Sequence, residues 1–108
     1  LVGLGISPGS ARGRVRVARS LDEASRLQPG EVLVAKATDP AWTAYFPSAA
    51  GLVTELGGRL SHAAVVAREY GLPAVANVAD ATRLLRDGEE VQVDGDAGTV
   101  RVLAPPSP

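Results

Sequence analysis

Thr54-Glu55-Leu56-Gly57-Gly58-Arg59-Leu60-Ser61-His62-Ala63-Ala64-Val65-Val66-Ala67-Arg68 reads as a strand end, a double glycine, a helix cap, a histidine and a helix of small residues. Gly57 and Gly58 admit backbone conformations closed to other residues, so the chain can turn sharply there. Ser61 is a favourable N-cap, and Gly71 followed by Pro73 stops the helix, which the pattern places over residues 61–70. Ala63, Val66, Ala67 and Tyr70 recur at helical spacing and form one apolar face. His62, the single histidine of the chain, then occupies the first helical position. Unpaired amides and the positive end of the helix dipole favour a bound anion there, and the uncharged ring is the nucleophilic form. A nucleophilic imidazole beside a phosphate-friendly helix end is the arrangement a phosphohistidine intermediate needs. Ala63 and Ala64 leave room for a large phosphorylated partner. The residues alone leave a second reading open, in which His62 is an ordinary surface or core histidine.

Working outward, Arg14 and Arg16 alternate with Val15 and Val17, and this period of two predicts a strand over residues 13–18. Ser20 with Glu23 has capping-box spacing and opens a weak helix over residues 21–27. Further strands are expected at residues 31–35, 51–54 and 72–77, with short helices at residues 42–46 and 80–85. Residues 90–94 and 99–103 alternate in period two about Gly95-Asp96-Ala97-Gly98 and read as a hairpin. The expected class is mixed α/β, with many short strands and few short helices.

A length of 108 residues allows one small domain with a modest core. Eleven Lys plus Arg against twelve Asp plus Glu leave a net charge of −1, which argues against nucleic acid or an anionic membrane as partner. No apolar run reaches the length of a membrane span, and residues 1–10 carry no secretory signal, so a cytoplasmic location is expected. With no cysteine and one histidine, the chain can build neither disulfides nor a zinc site of thiolates or several histidines. Gly3, Gly5 and Gly9 lack dinucleotide-fingerprint spacing. Ser61 adjoins His62 and cannot face it as in a hydrolase triad. Asp94 and Asp96 read as turn residues rather than calcium ligands. The missing methionine and the run Ala104-Pro105-Pro106-Ser107-Pro108 suggest a domain of a longer protein, with residues 1–103 folded and 104–108 a stiff linker or tail.

The run from Gly57 to Val75 resembles the phosphohistidine signature of phosphoenolpyruvate-utilising enzymes. Thr38-Asp39-Pro40-Ala41-Trp42 looks like the matching segment of phosphoenolpyruvate synthase and rifampicin phosphotransferase. Residues 7–13 and 94–100 resemble the two ends of the same mobile domain. The resemblance implies a swivelling β/β/α sandwich whose histidine accepts a phosphoryl group at one site and carries it to another. By that likeness His62 is the phosphorylated residue, Gly57 and Gly58 shape its loop, and Thr54 and Ser61 place hydroxyls nearby. Arg68 matches a family arginine. The implied partners are an ATP-grasp nucleotide-binding domain and a second substrate-binding domain. ATP and Mg²⁺ are expected on those domains and no cofactor on this one. Many members carry Thr two residues before the histidine, where this chain has Leu60, a feature resembling the rifampicin phosphotransferases. An alternative is a stand-alone domain that keeps the fold as a binding or regulatory module without phosphoryl transfer.

Overall fold

The computed structural model describes residues 1–106. In chain order the elements are β1 (Leu4–Ser7), β2 (Ser10–Ala18), α1 (Leu21–Ala24), β3 (Val32–Ala35), a 3₁₀ segment (Pro40–Ser48), β4 (Gly51–Thr54), α2 (His62–Tyr70), β5 (Ala74–Ala76), α3 (Ala81–Leu84), β6 (Glu90–Asp94) and β7 (Thr99–Ala104). The strands form one seven-stranded sheet in the order β1-β5-β4-β3-β2-β6-β7.

β2 is the corner of this sheet. Its second half, from Val15 to Ala18, runs parallel to β3, while its first half, from Ser10 to Arg14, runs antiparallel to β6. β3, β4 and β5 continue in parallel, and β1 closes that edge antiparallel to β5. The sheet curls until its two edges meet. Leu1 and Val100 exchange both backbone hydrogen bonds, at 2.8 and 2.9 Å, and the Gly3 amide donates to the Gly98 carbonyl at 2.8 Å. The meeting demands bare backbone, since a Cβ on Gly5 would lie 2.0 Å from the Gly95 carbonyl oxygen and one on Gly95 would lie 1.8 Å from that of Ser7.

Strand alternation sorts the side chains into two cores. Val32 and Val34 of β3 point one way and join Val15, Val17, Val53, Val75, Val91, Val93 and Val100 between the two sheet layers. Branched side chains suit this space, because they stack well on pleated surfaces. Leu33 and Ala35 point the other way and join Leu52, Ala74 and Ala76 under Trp42, Phe46 and the alanines of α2. The layers are therefore β, β and α, as the expected class required.

Several boundaries differ from the sequence reading. β1 falls in a glycine-punctuated segment that gave no strand pattern, and β2 begins at Ser10 rather than residue 13. α1 ends at Ala24, and the segment after Asp39 winds as 3₁₀ helix to Ser48. On α2 the buried residues are Ala63, Ala64 and Ala67, whereas Tyr70 is half exposed. Gly71 adopts the left-handed conformation at the helix end, and Leu72 just beyond it turns into the core in place of Tyr70. β7 runs through Ala104, which pairs with Glu90, so the strand enters the segment read as a tail. Residues 107–108 of that tail lie outside the described residues.

Candidate functional site

The candidate site lies where the parallel strands β3 and β4 end and the chain turns back into α2; ligands of α/β sheets generally bind beyond the carboxyl ends of parallel strands. Thr54 is the last residue of β4 and is wholly buried. It follows Leu52 by two and so shares its face, the one covered by helices. After Glu55 and Leu56, Gly57 reverses the chain at φ +122°, a conformation that favours glycine.

Ser61 then locks the loop to the helix. Its hydroxyl donates to the Gly58 carbonyl at 2.7 Å and accepts from the Ala64 amide at 3.2 Å. The Ser61 amide also donates to the Gly58 carbonyl, at 3.0 Å. These bonds satisfy one of the orphan donors of α2 and put His62 at its first position. His62 is partly exposed, but its Nδ1 is shut away from solvent without a hydrogen-bond partner. With Nδ1 enclosed, Nε2 is the candidate nucleophile of the ring.

Arg68 sits near the end of α2 and reaches back along it. Its Nη1 donates to the Ile6 carbonyl at 3.0 Å and its Nη2 to the Arg59 carbonyl at 2.8 Å. The guanidinium thus fastens the glycine loop to β1 and to the helix the loop precedes. Leu60, beside the histidine, is 92% exposed and takes no part in the core.

Of the six residues singled out from the sequence, hydrogen bonds join Gly58 to Ser61 directly and tie Arg68 to the same loop through the Arg59 carbonyl, while Gly57 and His62 flank these contacts along the chain. Thr54 shares the strand end, but no hydrogen bond joins it to the histidine. Its Oγ1, like that of Thr38 and like His62 Nδ1, is buried without a partner. Unpartnered buried polar atoms are uncommon and cost stability; Thr54 ends β4, Thr38 and His62 lie in the segments that follow β3 and β4, and Ser7 Oγ of β1 is a fourth such atom.

One long-range contact at the root of the loop was missed. The Glu55 carboxylate, at the root of the loop, accepts from the Thr82 amide at 2.9 Å and from the Thr82 hydroxyl. The N-cap residue of α3, Asp80, makes no side-chain cap bond of its own, so Glu55 caps that helix from a distant part of the chain. The Thr82 hydroxyl and then its amide hold the Glu55 carboxyl below the usual carboxylate range; Lys36 and Arg19 act in the same direction, against partial burial. No local signal announced this, because the partners lie 27 residues apart. Among the described residues no group of His, Asp and Glu could hold a metal ion.

The chain matches the family described as "PEP-utilising enzyme, mobile domain" over residues 27–98. Rifampicin phosphotransferase of Bacillus cereus is 50% identical over 103 residues, which are 95% of this chain and 12% of that protein. Chondramide synthase of Chondromyces crocatus is 54% identical over the same length, only 3% of that protein. This chain thus spans a small part of the curated relatives it matches. Among solved structures, an Enzyme I protein is 36% identical with a TM-score of 0.64, over 73% of this chain and 33% of that one. A chain of Thermococcus kodakaraensis aconitase X superposes with a TM-score of 0.75 over 95% of this chain and 97% of that one. At 21% identity the latter shares the fold alone.

Proposed function

Because the chain belongs to the mobile-domain family of phosphoenolpyruvate-utilising enzymes, we propose that it is a phosphocarrier in which His62 ferries a phosphoryl group between sites on other domains. The observation that carries this reading is the placing of His62: a capped first position on α2, with Nδ1 enclosed and the residue as a whole partly exposed.

In the first step the Nε2 lone pair attacks the phosphorus of a nucleotide donor in line. A nitrogen–phosphorus bond forms, and the phosphorus–oxygen bond to the leaving phosphate breaks with its electron pair staying on that oxygen. In the second step an acceptor oxygen attacks the same phosphorus, and the ring recovers its lone pair. The amides at the start of α2 face the transferred group, and the helix dipole stabilises its charge. The chain's own part is to hold the ring. Ser61 sets the helix start, Gly57 turns the loop, and Arg68 keeps the loop against β1 and α2. Thr54 lines the enclosed side of the strand end. ATP and Mg²⁺ belong on an ATP-grasp domain and the acceptor on a second substrate-binding domain, a division that membership of the mobile-domain family supports. The relatives, of which this chain covers a small share, support such a multidomain setting, and the cytoplasm is where it would act.

The test supplies the chain with those partner domains and labelled ATP. Acid-labile, base-stable label on the wild-type chain, lost in His62→Ala, is the expected result. Absence of label with active partner domains would replace the carrier by a binding or regulatory module of the same fold.

A further inference from the structure

The chain has twelve glycines, and eleven have a visible reason to be glycine. Six have positive φ: Gly9, Gly30, Gly57, Gly71, Gly88 and Gly98. At the other five a Cβ would come within 3.2 Å or less of a neighbouring atom. Gly58 alone has neither. Its φ lies outside the left-handed range, and a Cβ built on it meets nothing within 4 Å. The resting fold would therefore accept alanine there, yet the position is bare and faces open space four residues before His62. Its carbonyl is already engaged by Ser61, so this backbone is held and not free to drift. Beside it, Arg59 is exposed, and among the described residues its guanidinium has no hydrogen-bond or ion-pair partner, although its own carbonyl is pinned by Arg68.

We propose that the Gly58–Arg59 edge is the surface onto which the phosphate-bearing substrate closes, with Gly58 giving clearance for its close approach and Arg59 meeting its charge. Missing side chains permit backbone contact with a ligand, and an unpaired guanidinium is suited to phosphate oxygens. The inference rests on the carrier reading, and the substrate it concerns is the donor phosphate that His62 attacks.

The experiment compares wild type with Gly58→Ala, Gly58→Val and Arg59→Ala. Each is labelled in two ways: from ATP through the partner domains, and from phosphoramidate, a small donor that needs no partner. The two Gly58 variants should match or exceed the wild-type melting temperature, and their labelling from phosphoramidate should fall far less than their labelling from ATP. Their transfer from ATP should fall, by about a hundredfold for valine if the misfit reaches an ångström. Arg59→Ala should raise the KM for ATP-dependent labelling more than it lowers kcat. Normal ATP transfer by Gly58→Val overturns the proposal, as does a lowered melting temperature for Gly58→Ala, which would return the glycine to a folding role. Wild type that takes label from neither donor overturns the carrier reading and this inference together.

Discussion

At the scale of single residues, the histidine and its cap could be read from the sequence because the pattern is local. Ser61 precedes the helix it caps, and one hydroxyl joins Gly58, Ser61 and Ala64 within seven residues of chain. Glu55 and Arg68 could not be read in the same way. Their bonds run to Thr82 and to the Ile6 carbonyl, 27 and 62 residues away, and only the folded sheet brings these groups together. Glu55 carries a consequence for pH. Its carboxyl is held below the ordinary range when folded, so on acidification the unfolded chain takes up the proton first. The stabilisation from Glu55 is complete above the ordinary carboxylate range and is lost as pH falls through the lowered folded value. Melting temperatures taken from neutral to acid pH should show Glu55→Gln less stable than wild type at neutrality, with the gap closing in acid. A constant gap across the range would mean that the capping charge does not matter.

At the scale of elements, the sequence reading was best where a strand had its own boundary signals. β4 and β6 run over Gly51–Thr54 and Glu90–Asp94, as their flanking turns indicated. The Asp94 carboxylate accepts from the amides of Asp96 and Ala97 at 3.0 and 2.9 Å, which is the turn role expected of it. β1 was invisible because its glycines read as loop punctuation, whereas they are required by the backbone packed against them. Tyr70 was assigned to the apolar face of α2 because helical periodicity ignores where a helix stops. For α2 itself, Ser61→Ala should cost about 1 kcal/mol, measured by urea unfolding. It should also slow phosphoryl uptake by the chain, because the first turn that carries His62 frays. A variant with unchanged stability would show that the sheet contacts of Ala64 and Ala67 define the helix start without the cap.

At the scale of the whole molecule, the mixed α/β class was legible in the succession of short elements, but the curl was not. It depends on edges far apart in sequence meeting at residues 1–3 and 98–100, and on the bare crossing of Gly5 with Gly95. Gly95→Val should therefore open that seam. Its melting temperature should drop far below that of any substitution on the exposed loop around Leu60, and amides of the seam should exchange faster with solvent. Retention of wild-type protection at Gly3 and Val100 would show that the sheet closes by another route. The seam has a mechanical consequence as well. Because Leu1 is stitched to Val100, a polypeptide preceding Leu1 would depart beside Val100, and one following β7 would depart beyond Ala104, about 13 Å further along the same strand. Two tethers rooted along one strand constrain a body less than tethers at opposite poles. The domain would turn about them like a door whose two hinges share one post, sweeping a wide arc without stretching either strap.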